Sequence, residues 1–335
     1  MFLNQKPVIS LFIATLLLAA PLLVSAEQLV SADQYAASTA AMASDRHDAL
    51  LNRYHQISTA LQQNQYGAPI YIQSTFGDEY SQGDVYALVK HNFATVSQRL
   101  NSPDQWCDVV LLHINVKGCN VKSGRQQISS KNVTIYVGRN YFQTPDEAHE
   151  MRYTFVPKVI RDNYVQVDLT SKDGPLGTSD YELIFEAIPF DDQTSFIHFK
   201  YGYRYGFMAR LALDGYLATL GRHKVGFSVK GFDDDNEPLY VKGLQGIVER
   251  NSMRYFISIQ SYLDTTALNA RQWDQRIDHW YGLAKRYERQ LVEVRDDKYL
   301  KTKTQEYTRR DDINNKNKAT VDTGHVDNLD ADGQG

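Results

Sequence analysis

The chain lacks the features that would draw it to nucleic acid or hold it in a membrane. It has 36 lysines and arginines against 40 acidic residues, so its net charge is −4 at pH 7. A weakly acidic protein has no basic excess to attract phosphate backbones or anionic lipid, which argues against a nucleic-acid partner. No apolar run after the first two dozen residues approaches the ~20 residues of a spanning helix, so we expect no transmembrane segment in the mature chain.

Known catalytic patterns are also missing. There is no G-x-S-x-G, no H-E-x-x-H and no phosphate-binding loop, and the nine histidines form no close pair with metal-ligand spacing. The sequence therefore assigns no catalytic residue, metal or cofactor. It favours a protein without enzymatic activity but does not decide that point.

Only two cysteines are present, Cys107 and Cys119. In an oxidising compartment such a pair usually forms one disulfide, which is our expectation here. Two alternatives remain open: a metal site that includes His113, which lies midway between the cysteines, and a catalytic thiol.

The first 26 residues have the features of an export signal. Lys6 supplies a basic start, an apolar run covers residues 8–23, and small residues occupy 24–26. We predict a signal peptide cleaved after Ala26, with an uncleaved membrane anchor as the alternative. The mature chain would have 309 residues (335 minus 26) and be periplasmic or secreted.

An N-terminal amphipathic helix is predicted within residues 27–67. Its apolar seam repeats at intervals of four and three residues: Ala36, Ala40, Ala43, His47, Leu50, Tyr54, Ile57 and Leu61. A helix packed on the surface of its own domain is the favoured interpretation, because alanine at three of the eight seam positions gives weak packing knobs. A coiled-coil dimer is the alternative.

Residues 68–250 are predicted to form an antiparallel sheet domain. Alternating patterns and turn signals indicate strands near 69–74, 83–91, 110–117, 132–138, 150–157, 163–170, 179–188 and 195–205. A helix over residues 207–220 is expected to cross back over this sheet. Further helices are expected over 251–295, followed by a disordered polar tail over 296–335.

The hairpin formed by residues 179–205 has a definite predicted register. Pairing Glu186 with His198 also sets Asp180 opposite Arg204, so two cross-strand pairs on one face join an acid to a base. The other face then pairs aromatic and aliphatic residues, and a one-residue slip would disrupt both faces. We therefore expect the rings to point into the protein and the charged face to meet solvent. Glu186 and His198 are the best candidate acid–base pair, although structural pairing is favoured.

The order of elements resembles the START-like helix-grip fold, which the Bet v 1 allergens and polyketide cyclases also share. The resemblance covers residues 83–220: a strand, two short helices, six antiparallel strands and a crossing helix. It implies an α+β fold that encloses an apolar cavity between the sheet and the final helix, where many such proteins bind lipids, sterols or other hydrophobic molecules. The residues expected to line that cavity are Tyr181, Leu183, Phe185, Phe199, Tyr201 and Tyr203. The segments "GPLGTSDYEL", "YLATLGRHKVGF" and "VERNSMRYF" also resemble an uncharacterised group of exported bacterial proteins.

Three hypotheses about function follow. The first is an exported protein that binds a hydrophobic or lipid-like small molecule in the cavity. The second is a structural or assembly factor of the cell envelope that binds a protein partner through its terminal helices. The third is a hydrolase or isomerase that uses the same cavity. A sheet whose inner face is simply filled by the later helices would contradict the first and the third.

Overall fold

The computed structural model describes residues 32–77, 79–121, 131–219, 221–265 and 273–310. By its contacts the chain divides into Met1–Ser38 and Thr39–Gly335. In the first unit the described residues are the start of a helix, and the features below lie in the second. The predicted signal peptide and residues 311–335 fall outside the described part of the chain.

Eight strands form one antiparallel sheet. They are β1 (Ile70–Phe76), β2 (Tyr80–Val89), β3 (Val116–Val121), β4 (Lys131–Val137), β5 (His149–Arg161), β6 (Tyr164–Asp173), β7 (Thr178–Pro189) and β8 (Ser195–Tyr205). Their order across the sheet is β1-β2-β8-β7-β6-β5-β4-β3. The sequence predicted all eight, but β3 starts at Val116 instead of residue 110. The apolar run at 111–114 closes the preceding helix, where the Leu111 N–H donates to the Cys107 carbonyl.

Two short helices connect β2 to β3, as predicted. Helix α2 (Phe93–Arg99) is capped by Asn92, whose side chain accepts the Thr95 N–H. Helix α3 (Pro103–Val110) begins with a capping box between Ser102 and Gln105.

The predicted disulfide is confirmed. Cys107 in α3 and Cys119 in β3 are bonded, and both side chains are buried. The bond therefore ties the second connecting helix to the edge strand that follows it.

The helix that grips the sheet is not the predicted one. Helix α4 (Phe207–Ala218) exposes 78% of Phe207 and 72% of Met208, whereas α5 (Gly243–Asp264) packs its buried side chains against β1, β2, β8 and α3. Helix α4 and a hairpin of β9 (Val229–Phe232) and β10 (Pro238–Tyr240) are inserted between β8 and this gripping helix. The later helix was predicted to start near residue 251, because residues 239–248 were interpreted as a strand; it starts at Gly243 instead.

Helix α1 (Ala32–Gln62) packs on the opposite face of the sheet. Its buried residues Ala43, Leu50, Ile57 and Leu61 form a second apolar cluster with sheet residues Tyr86, Tyr164, Ile188 and Phe196. This agrees with the favoured interpretation of the seam as a self-packing surface. It also corrects the expectation that the charged face meets solvent, because Asp84 and His198 lie buried on that face.

The register of the β7–β8 hairpin is confirmed from Leu183 to Ala187, including Glu186 opposite His198. Nearer Tyr205 it is wrong. A bulge between Ser179 and Glu182, with Asp180 at φ 48°, places Ser179 opposite Arg204, and Asp180 pairs with Lys172 instead. The Tyr181 and Tyr203 rings still stack, with centroids 5.2 Å apart.

The C-terminal part contains more structure than predicted. The helices expected over 251–295 include two after α5, α6 (Trp273–Lys285) and α7 (Glu288–Leu291). Residues 296–310, expected to be disordered, form a further helix, α8, whose Tyr299, Lys303 and Glu306 are buried. The charges of Lys303 and Glu306 are paired inside the protein. The polar composition of this segment could not indicate that these side chains are buried.

The predicted α+β helix-grip architecture is thus confirmed, with a different helix in the gripping position. Among the helices of the described residues, none has both the length and the apolar character required to cross a bilayer.

Candidate ligand cavity

A cavity of about 180 Å³ lies between the inner face of the sheet and helix α5. The sheet contributes residues of β3, β4, β5, β7 and β8, α5 contributes one wall, and Leu176 and Leu213 contribute from the loop before β7 and from α4. The lining is mainly apolar and aromatic: His113, Asn115, Val116, Val137, Met151, Tyr153, Pro175, Leu176, Thr178, Tyr181, Tyr201, Tyr203, Leu213, Ile247, Asn251 and Tyr255. The region that the helix-grip fold leaves for a ligand is therefore partly open.

The six predicted ligand-binding residues divide into two groups. Tyr181, Tyr201 and Tyr203 line the cavity. Leu183, Phe185 and Phe199 point to the same face but are completely buried in packed core. Trp106 of α3 fills the space there and meets the Phe185 ring edge-on at 5.8 Å. The inner face is thus solid beneath α3 and hollow toward the other end of β7 and β8.

Sequence reasoning missed the remaining walls. Met151 and Tyr153 alternate inward on β5, and that pattern could have placed them on the same face as the tyrosines of β8. Tyr255 and Asn251 belong to α5. They were missed because the sequence analysis placed α4, not α5, over the sheet. Nothing in the local sequence indicates His113, which lies in the turn after α3.

The tyrosines of the cavity form a connected aromatic wall. The Tyr201 ring lies 5.5 Å from the Tyr255 ring and 6.1 Å from the Tyr181 ring, and the Tyr181 hydroxyl lies 2.8 Å from the Thr178 hydroxyl. Burial raises the pKa of Tyr181 to about 12. Its phenol stays protonated at physiological pH and offers an aromatic face and a hydroxyl, not a base.

His113 is the one histidine that the cavity contains. It is 3% exposed, and its Nδ1 accepts the backbone N–H of Asn115 at 3.2 Å. Its ring stacks on Tyr255 with centroids 4.5 Å apart. Burial lowers the pKa of His113 well below its usual value, and the charges of Arg254, Lys303 and Lys117 lower it further. The ring is therefore neutral at pH 7.

The predicted acid–base pair lies on the other face of the sheet. His198 Nδ1 is 2.7 Å from Glu186 Oε2, and His198 Nε2 is 2.8 Å from Asp84 Oδ1. Tyr86 stacks on the imidazole at 4.3 Å, and the Tyr164 hydroxyl donates to Glu186. None of these side chains lines the cavity. The pair is a buried structural network, which is the interpretation that the sequence favoured.

A larger hollow of about 720 Å³ lies over β5, β6 and β7, and its chemistry differs. It is walled by charged side chains that already pair with each other, such as Glu150 with Arg152 and Lys172 with Asp180. It is a polar surface groove and does not suit an apolar molecule. Among the described residues no cluster of three or more His, Cys, Asp or Glu side chains is arranged to hold a metal ion.

The chain matches no family model and no curated protein. Solved structures similar to it include the Zhui aromatase/cyclase from Streptomyces sp. R1128, at 8% identity over 60% of this chain and 98% of that one, with a TM-score of 0.34. Human StAR-related lipid transfer protein 5 is 10% identical over 68% of this chain and 99% of that one, with a TM-score of 0.32. A START superfamily protein from Mycobacterium smegmatis is 11% identical over 42% and 92%, with a TM-score of 0.28.

This likeness concerns the fold alone and says nothing about activity. The strand order and the gripping helix of the chain itself carry the conclusion: it has the START-like helix-grip fold.

Proposed function

We propose that this protein binds a small hydrophobic molecule in the cavity beneath α5 and does not change it chemically. The observation that supports this best is the cavity itself, an apolar and aromatic hollow on the face of the sheet that α5 covers. Its lining side chains lack packing contacts that an apolar occupant would supply.

The size of the cavity sets the size of the ligand. Pockets for drug-sized molecules measure about 300–1,000 Å³, whereas a void of roughly 150 Å³ holds benzene. At about 180 Å³, this cavity fits a single substituted ring or a short aliphatic chain. A sterol or a long acyl chain would need α4 or α5 to move outward.

A binding role suits the side chains better than the alternatives do. The one cavity histidine takes a backbone N–H at Nδ1 and stacks on a tyrosine, so no carboxylate activates it. The terminal helices were expected to bind a protein partner through their apolar seams. Those seams are instead buried within the protein, at Leu50 and Ile57 of α1 and at Trp280 and Leu291 of the C-terminal helices. At these described positions the apolar side chains of both seams are covered by the rest of the protein.

We also propose that the protein works outside the cytoplasm after cleavage following Ala26. The buried disulfide supports an oxidising compartment. Intact-mass measurement of the protein recovered from its own cells tests this directly. A mass that retains residues 1–26 would contradict it.

Native mass spectrometry of the purified protein tests the ligand. We expect an additional bound mass of a small organic molecule, which Val137→Trp removes by filling the cavity from β4. Val229→Trp is the matched control, since Val229 is also half-buried but does not line the cavity. Loss of the bound mass in both variants, or its retention in Val137→Trp, would refute the cavity as the binding site.

A further inference from the structure

His113, which lines the cavity, carries a buried hydrogen-bond donor that has no acceptor among the described residues. Because Nδ1 of His113 accepts the Asn115 N–H, the proton of the neutral ring must be on Nε2. Nε2 is fully buried and has no hydrogen-bond partner among the described residues. Leaving such a donor unsatisfied costs about 1–3 kcal/mol, and a bound acceptor would remove that cost.

Two buried lysines contact the chain just after His113. Lys117 Nζ donates to the Ile114 carbonyl oxygen at 3.0 Å, and Lys303 Nζ donates to the Val116 carbonyl oxygen at 2.7 Å. Glu306 bonds two buried lysines, with Lys117 Nζ at 3.0 Å and Lys303 Nζ at 2.8 Å. Glu293 likewise bonds Arg254 at 2.6 Å and Lys224 at 2.7 Å.

These two carboxylates therefore pair with four cations. Three of these cations, Arg254, Lys303 and Lys117, disfavour a proton on the His113 ring, and only Glu293 opposes them. The local field is therefore positive, and the same field favours an anion beside the ring.

We propose that the natural ligand is a small carboxylate with a ring-sized apolar body. Its carboxylate oxygen accepts the Nε2 proton of His113, and its body lies against Tyr153, Tyr181 and Tyr201. This inference rests on the cavity function proposed above and adds the chemical class of the ligand and the residue that selects it.

Three probes of similar size separate the two proposals. Benzoate carries the carboxylate, acetophenone a neutral carbonyl, and cumene no acceptor. Isothermal titration calorimetry should give dissociation constants in the order benzoate, acetophenone, cumene from tightest to weakest. A charged hydrogen bond is worth about 1.5–3 kcal/mol, so we expect benzoate to bind roughly 10- to 100-fold more tightly than cumene.

The key variant is His113→Phe, which keeps an aromatic ring against Tyr255 and removes the donor. Benzoate should lose at least about 10-fold in affinity, and cumene should bind as before. His113→Gln restores an N–H and should recover part of the preference for benzoate. His149→Phe is the control: it makes the same substitution at an exposed histidine and should leave the affinities for all three probes unchanged. Circular dichroism and thermal melts check that each variant folds.

The outcomes distinguish the two proposals. If cumene binds the wild type as tightly as benzoate, or if His113→Phe keeps the preference, the carboxylate assignment is overturned while the cavity function stands. If none of the probes binds the wild type, the cavity function fails and the assignment fails with it.

Discussion

His198 is a buried imidazolium held between two carboxylates, and this makes the stability of the protein depend on pH. Burial disfavours the charged ring, but hydrogen bonds to Asp84 and Glu186 outweigh that effect and raise the pKa of His198 to about 9. The ordinary value is 6.5, so the stabilisation is complete below pH 6.5 and is lost as the pH rises through about 9. Burial also opposes ionisation of Glu186, yet the bond from His198 leaves its pKa lowered, so its contribution is lost as the pH falls below 4.5.

We predict that His198→Gln lowers the free energy of unfolding by about 3–5 kcal/mol at pH 6, because it removes the cation between Asp84 and Glu186 and leaves Glu186 only the half-exposed Arg46 at 4.0 Å. The decline in stability between pH 6.5 and 9 should also become shallower. Urea unfolding across this range provides the measurement, and His149→Gln at an exposed site is the control. An unchanged pH profile in His198→Gln would show that the imidazolium is not the group that titrates.

At the scale of elements, α5 sits close to the sheet because Gly83 of β2 has no side chain. A Cβ at this position would overlap the Ser252 hydroxyl and lie 3.3 Å from the Val248 carbonyl oxygen. The Ser252 hydroxyl itself lies 3.1 Å from the Gly83 carbonyl oxygen, to which it donates. This contact sets the position of the helix that carries Ile247, Asn251 and Tyr255 into the cavity.

We predict that Gly83→Ala destabilises the protein by about 1–3 kcal/mol through overpacking. Ser252→Ala in the same chain should recover part of the loss, so the double variant is less destabilised than the sum of the single ones. Gly282→Ala is the control: an added Cβ meets no described atom within 4 Å, and alanine favours a helix by up to about 1 kcal/mol. If the destabilisations of Gly83→Ala and Ser252→Ala simply add, the contact between Gly83 and Ser252 does not limit the packing of α5 on β2.

The disulfide also joins two elements, α3 and β3. It closes a loop with a sequence separation of 12 between α3 and β3. In the chain-entropy model such a loop is worth about 3 kcal/mol. We expect Cys107→Ser/Cys119→Ser to lose about this much in urea unfolding, and reducing agent to shift the wild type but not the variant. A variant that still responds to reductant would contradict this account.

At the scale of the whole molecule, α8 supplies the carboxylate that neutralises a buried lysine of the sheet. Lys117 of β3 is 1% exposed and bonds Glu306, which lies 189 residues later in the chain. Lys303 donates to the Val116 carbonyl at 2.7 Å, and the Tyr299 hydroxyl donates to the Leu112 carbonyl. The last described helix therefore fixes the edge of the sheet where the cavity histidine lies.

We predict that Glu306→Gln destabilises the protein by about 3–5 kcal/mol, because it leaves two buried lysines without their carboxylate. Limited proteolysis should then cut α8 before the sheet domain. Glu288→Gln, at an exposed glutamate, should have little effect. Wild-type melting behaviour in Glu306→Gln would mean that the lysines find other partners or lose their charge at little cost.

The sequence by itself determined the features that depend on neighbouring residues. Alternation along 179–205 was enough to pair Glu186 with His198, because a strand's side-chain period leaves one register that satisfies both faces. The two cysteines and the cap residue Asn92 were equally local signals. The register failed only near Asp180, where a bulge adds a residue that alternation does not reveal.

Only the tertiary structure decided which helix covers which face of the sheet. The exposed α4 and the buried α5 both have helical patterns, and the choice depends on close contacts such as Gly83 with Ser252. Burial of charge was beyond the sequence for the same reason, because Lys117 and Glu306 neutralise each other although 189 residues separate them in the chain. The cavity also depends on tertiary structure, because it is the space left between side chains of β4, β5, α5 and the turn after α3, which are distant in sequence.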